Sequence, residues 1–147
     1  MKVLILTDSL SLPRAYQGGK VEWEDTYVSL LKRSRQDIEF IQVGIGGATI
    51  AELYRALNYY VHANPQLIIL HAGIVDCAPR ALTNFEKKVV SRLGLEKVVK
   101  RLSRRLRKAR KLTYTSRDNF QKTIRRIKNK FLELPLVSIG IIPARPE

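Results

Sequence analysis

The chain has 147 residues, and 27 Lys/Arg against 13 Asp/Glu give it a formal net charge of +14. With 45% apolar residues it has material for one core, which argues against wholesale disorder, and the length suits one domain better than two. A single cysteine, Cys77, excludes a disulfide framework and a multi-cysteine zinc site; no apolar run approaches the ~20 residues that span a bilayer; and residues 1–6 are too short for a signal peptide. These exclusions predict a cytoplasmic chain, peripheral at the inner membrane face if its cations meet lipid. The charge is concentrated. Residues 81–130 hold 18 Lys/Arg and three acids (Glu86, Glu96, Asp118), whereas the rest of the chain is nearly neutral.

Residues 2–7 are aliphatic on both faces and read as a buried parallel strand. Residues 10–22, with Pro13, Gly18 and Gly19, read as a loop. Residues 24–35 predict a helix with Tyr27, Val28, Leu30 and Leu31 inward, and residues 38–43 a second strand. Thr49 and Glu52 have capping-box spacing, and Ile50, Leu53, Leu57 and Val61 give the next helix an apolar face. Asn64-Pro65 ends it. A third strand opens at residues 67–70 and stops at Gly73. Residues 84–110 predict one or two basic helices and residues 118–132 another, before a fourth strand at 136–142. The order β-α-β-α-β-α-α-β predicts a single α/β domain over residues 1–147 with a parallel sheet. Chemistry in such sheets sits beyond the carboxyl ends of the strands.

Three strand-end turns are therefore the candidates: Thr7-Asp8-Ser9-Leu10, Gly44-Ile45-Gly46-Gly47-Ala48-Thr49 and Gly73-Ile74-Val75-Asp76. Taken singly, each is ordinary turn chemistry, a serine cap or a Gly-rich connection. Together, in this order, they resemble the blocks of the SGNH/GDSL hydrolase family. The resemblance covers residues 1–80 well and the fourth strand loosely. It implies a three-layer α/β/α flavodoxin-like fold, with four strands present in the order 2-1-3-4 and the family's fifth strand missing. It also implies an esterase or carbohydrate O-deacetylase that needs no cofactor and takes a small-molecule or glycan ester. Asp8-Ser9-Leu10 matches the first block and makes Ser9 the nucleophile. Gly47, preceded by Gly46, matches the oxyanion glycine, with the Ser9 N–H as second donor. Gly73 and Asp76 match the first and last positions of the third block, where Asp76 fixes the turn. The stretch through Arg80 resembles family members near polysaccharide-biosynthesis genes and makes Arg80 a substrate-binding candidate.

Three positions depart from the family. Thr7 replaces a glycine. Val75 stands where the family has its oxyanion asparagine and supplies no side-chain donor. The DxxH block that carries the base has no counterpart, since the only histidines are His62 and His71, read as helix-end and strand-packing residues. From these departures the chain is expected to be C-terminally truncated, to lack serine-hydrolase turnover as it stands, and to self-associate through an uncharged edge strand at 136–142.

The remaining features have blander readings. Cys77 reads as a quiet thiol, Arg80 equally as a substrate fork or plain surface charge, and Tyr16, Trp23 and Tyr27 as core anchors or loop clamps. The sequence contains no metal-ligand cluster. Leu93, Leu95, Val98, Val99, Leu102 and Leu106 give the basic segment an amphipathic helix with a core face and a basic face. That basic face, within residues 87–130, is expected to be solvated or to meet an anionic membrane. Without stacking aromatics the run disfavours nucleic acid. Two functions compete with the hydrolase: a non-catalytic fold relative that binds glycan or a partner, and a basic nucleic-acid or membrane adaptor.

Overall fold

The computed structural model describes residues 1–110 and 112–140. In chain order the elements are β1 (Lys2–Thr7), a 3₁₀ turn (Ser9–Ser11), β2 (Arg14–Tyr16), β3 (Gly19–Val21), α1 (Tyr27–Ser34), β4 (Glu39–Gly44) and α2 (Ile50–Ala56), which continues as a 3₁₀ helix (Leu57–Ala63). Then come β5 (Leu67–His71), α3 (Ile74–Cys77), β6 (Pro79–Arg80), α4 (Asn84–Arg92), α5 (Glu96–Arg110), β7 (Leu112–Thr113), α6 (Arg117–Lys130) and β8 (Leu136–Ile139). The main sheet runs β4-β1-β5-β8, all parallel, which is the predicted order 2-1-3-4.

Strand periodicity divides the core. Leu4 and Leu6 of β1 and Ile68 and Leu70 of β5 face a cluster with Ile50, Leu53, Leu57 and Ile127, from α2, its 3₁₀ extension and α6. Val3 and Ile5 face Val28 of α1. The sheet is thus covered on both sides, and β1 is buried from Val3 to Thr7 because both of its faces are covered. Helix starts follow local chemistry. Thr26 and Ser116 cap α1 and α6 with their hydroxyls, and Thr49–Glu52 and Thr83–Glu86 form capping boxes.

Several expectations are corrected. Residues 10–22 are not one loop: β2 and β3 pair antiparallel as a hairpin, and Gly18, at φ +96°, supplies the turn. The helix expected to carry Val61 gives way to 3₁₀ geometry after Ala56 and ends at Asn64, whose φ is +48°. The fourth strand ends at Ile139 rather than 142: Gly140 lies outside it, and Ile141 and Ile142 lie outside the described residues. The largest correction concerns α5. Among its described side chains none is buried, and Leu95, Val98 and Leu102 are exposed. The helix packs on the β6 ribbon and α4 rather than on the sheet, so its apolar row is not a core face.

Glu86 ties α4 to the end of α5. Its carboxylate accepts Arg110 Nη2–H at 2.7 Å and Nη1–H at 2.9 Å, together with the Thr83 N–H at 2.7 Å. The Arg110 bonds, then the Thr83 N–H, hold the Glu86 carboxyl at about 2. A carboxyl lowered by folding favours the folded form above its unfolded pKa of ~4.3 and loses that effect as pH falls through the folded value. The Glu86 side-chain carboxyl resonance should therefore titrate near pH 2. A midpoint above 4 would contradict the bidentate pair.

Candidate active site

The three strand-end turns meet at the carboxyl edge of the sheet. At the end of β1, the Thr7 carbonyl accepts the Ile45 N–H at 3.1 Å on one side. On the other, the Asp8 N–H donates to the His71 carbonyl at 3.3 Å. Asp8 is buried, and its Oδ1 accepts the Leu10 N–H at 3.0 Å, capping the 3₁₀ turn that begins at half-exposed Ser9. Asp8 Oδ2 and Ser11 Oγ are buried without a hydrogen-bond partner, a costly condition that recurs at functional sites.

The second turn presses on the first. A Cβ at Gly44 would lie 2.8 Å from Ser11 Oγ and 2.9 Å from Leu12 Cδ2, so a side chain there would have to displace Ser11 or Leu12. Gln42 Nε2 donates to the Ser11 carbonyl at 3.0 Å and fixes the same contact. Gly47, at φ +70°, turns the chain toward α2 in a conformation that glycine adopts without strain.

Asp76 joins the third turn to the second. Its buried carboxyl accepts the Ile50 N–H at the start of α2, at 3.0 Å and 3.2 Å, and the Thr115 hydroxyl. Its carbonyl accepts the Tyr114 and Thr115 N–H groups at 3.0 and 3.2 Å. Gly73 opens α3 at φ +124°, Val75 is half-buried within it, and Cys77 is an exposed free thiol. Asp76 thus ties the third turn to the start of α2, three residues after Gly47. The Thr115 partner was illegible from sequence, since the two residues lie 39 positions apart.

No protein-family model matches this chain, and no curated protein matches it in sequence. Among solved structures, the acetyl xylan esterase AlAXEase superposes with a TM-score of 0.56 at 20% identity, over 94% of this chain and 57% of that one. A variant of an acetyl-xylooligosaccharide esterase from Geobacillus Stearmophilus gives 0.54 at 18%, over 93% and 57%. The chain has the fold of these esterases. That fold is the flavodoxin-like α/β/α sheet implied by the SGNH/GDSL resemblance. The chain spans 57% of the length of each of the two esterases.

The remaining candidates fall as follows. Arg80 is not a surface charge. It is buried, and its guanidinium lies 4.0 Å from the centroid of the Tyr114 ring. It lines a cavity of about 540 Å³ that starts at Gly47 and Thr49 and runs to Asn119, Lys122 and Arg126 of α6. Sequence reasoning missed the α6 wall, whose residues looked like one more solvated basic face. Tyr16 and Trp23 are exposed rather than core anchors, although the Tyr16 ring closes over Gly19. Tyr27 is half-buried, with its hydroxyl 3.2 Å from His71 Nδ1 and its ring edge-on to the imidazole. Burial pushes the Tyr27 phenol above its usual 10.0; a hydrogen bond with Thr7 opposes this, and the Asp8 charge adds to it. His71 and Thr7 are register partners on β5 and β1, on the α1 side of the sheet. His62 is exposed on the 3₁₀ helix that follows α2. No cluster of His, Cys, Asp or Glu suited to a metal occurs among the described residues.

Proposed function

We propose that this chain carries the nucleophile and oxyanion site of an ester hydrolase that acts on an acylated carbohydrate. The observation that carries the reading is the convergence of Ser9, Gly47 and Asp76 at one sheet edge, in the fold of two acetyl-carbohydrate esterases. Ser9 Oγ would attack the ester carbonyl. The N–H groups of Ser9 and Gly47 would hold the oxyanion, which is worth roughly 3 kcal/mol per well-aimed donor. The alcohol would leave, and water would then release the acyl group from Ser9. Asp76 acts through the Gly47 turn as a positioning residue. Arg80, with Arg55, Lys122 and Arg126 lining the adjacent cavity against one acid, Glu52, favours a substrate that bears a carboxylate or phosphate near the ester.

A serine hydroxyl needs an acceptor for its proton. His71 Nδ1 is engaged by Tyr27, and residues 1–147 contain no DxxH motif. Residues 1–147 are therefore expected to hydrolyse p-nitrophenyl acetate at the rate of Ser9→Ala, and added imidazole should raise the wild type above that variant. His71→Gln should leave the imidazole-dependent rate unchanged. Equal rates for wild type and Ser9→Ala with imidazole present would remove the nucleophile assignment. That result would favour the second reading, a fold relative that binds glycan without turnover, which Val75 and the engaged His71 support. Arg126→Gln should raise KM about tenfold for a carboxylated ester and leave a neutral one within about twofold.

A further inference from the structure

We infer that the α4–α5 hairpin is a docking surface for an anionic bilayer. The observation behind this is the exposed apolar row on two very basic helices. Phe85 is 75% exposed and Val89 lies one turn further along α4. Leu93, 64% exposed, and Leu95 flank Gly94, whose φ of +66° makes the turn between the helices. On α5, Val98 and Leu102 are 53% and 42% exposed. At about 3.6 residues per turn, Leu95, Val98, Leu102, Leu106 and Ala109 form one stripe, while Lys97, Arg101, Arg104, Arg105 and Lys108 share the next face. The body-facing row is a different one: Val99, Ser103 and Arg107 line the cavity against the β6 ribbon. Among the described residues Leu95, Val98 and Leu102 of that stripe are left uncovered, while Leu106 is half-buried.

Charge complementarity selects the occupant. Residues 84–110 hold eleven Lys/Arg and two Glu. A second copy would bring the same positive surface against this one, a like-charge contact that costs stability. Nucleic acid would neutralise the cations but leave the Leu and Val side chains in water, and the hairpin offers a single exposed aromatic, Phe85, rather than the series on which successive bases stack. A leaflet with anionic headgroups satisfies both features: the apolar row enters the headgroup–acyl boundary and the cations meet phosphate.

The test is co-sedimentation of the 147-residue chain with two vesicle preparations, phosphatidylcholine alone and equal parts phosphatidylcholine and phosphatidylglycerol. The wild type is expected to pellet with the mixed vesicles and to stay in solution with the neutral ones, and salt should weaken the binding. Leu102→Asp should weaken partitioning by roughly tenfold or more, and Arg104→Gln by roughly fivefold. Both side chains are exposed, so the circular dichroism of the free protein should not change. Equal binding to neutral vesicles, or Leu102→Asp binding like the wild type, would overturn the inference. So would a dimer in sedimentation equilibrium that Leu102→Asp dissociates, which would assign the stripe to a second copy. Retention of duplex DNA without retention of anionic vesicles would overturn it too.

Discussion

Replacing Asp76 by alanine should lower the unfolding free energy by about 3 kcal/mol, the largest stability change expected at the candidate site. The carboxyl accepts the Ile50 N–H and the Thr115 hydroxyl in a buried setting, so its loss leaves a buried N–H without a partner. Removing one partner costs the desolvation of the other, which is more than the net value of the bond. For a domain of this size the change corresponds to a fall in Tm of roughly 6–12 °C. Asp76→Asn keeps a carbonyl oxygen for the Ile50 N–H and should cost less than half as much. Urea unfolding at constant m measures both. Thr115→Val supplies a double-mutant cycle, with a coupling of about 1 kcal/mol or more expected between neighbours that share a bond. If Asp76→Ala costs under ~1 kcal/mol, Asp76 does not hold the start of α2, and the Gly47 turn must be positioned by other contacts.

The parts of this fold that were legible in the sequence have short-range causes. The aliphatic run of β1, the Thr49–Glu52 box and the glycines of the three turns each carry their own reason within a few residues. The alternation of strands and helices predicted a parallel sheet, and the order 2-1-3-4 came from the SGNH/GDSL resemblance of the three turns. The illegible parts depend on distant partners. Thr115 on Asp76, Tyr114 under Arg80 and Tyr27 on His71 join residues 34 to 44 positions apart, and no local pattern announces such a pairing. The β6–β7 ribbon is the same case, because two residues paired with two leave no periodicity to read.

The α5 helix shows a different limit. Its stripe of Leu and Val has the spacing of a core face, and the sequence reading assigned it to the core. Amphipathicity records that one side of a helix avoids water; it does not record what covers that side. The arbiter is the rest of the surface. A helix buried on a sheet commonly keeps charges of both signs on its outer face, whereas α5 carries Glu96 in its first turn and eight Lys/Arg over Glu96–Arg110. That imbalance was visible in the sequence and fits a surface helix. The open reading of Arg80, substrate fork or plain surface charge, has the opposite origin. An arginine that follows a strand-end turn looks solvated by composition, but the ribbon folds Tyr114 over it and closes two cavities around it.

Val75→Asn should raise the Ser9-dependent, imidazole-assisted kcat by about tenfold and leave KM within about twofold. Position 75 is anchored on both sides. The Cys77 N–H donates to the Gly73 carbonyl at 2.9 Å, and Asp76 is tied to the Ile50 N–H next to the Gly47 turn. These contacts fix the backbone of residue 75 in the turn that borders the Gly47 turn. Valine offers no donor, and the family that these turns resemble carries asparagine at this point. Deleting one oxyanion donor from a finished site costs roughly two to three decades in rate. An asparagine placed on a backbone not tuned for it should recover part of that, hence the smaller figure. The gain belongs in kcat because the new donor acts on charge that develops only in the transition state. The half-buried amide should cost about 1 kcal/mol of stability, read by urea unfolding of the same variant. The double variant Ser9→Ala, Val75→Asn sets the background. A kcat equal to wild type, with folding intact, would show that residue 75 points away from the oxyanion; an equal rise in the double variant would show that the added turnover does not pass through Ser9.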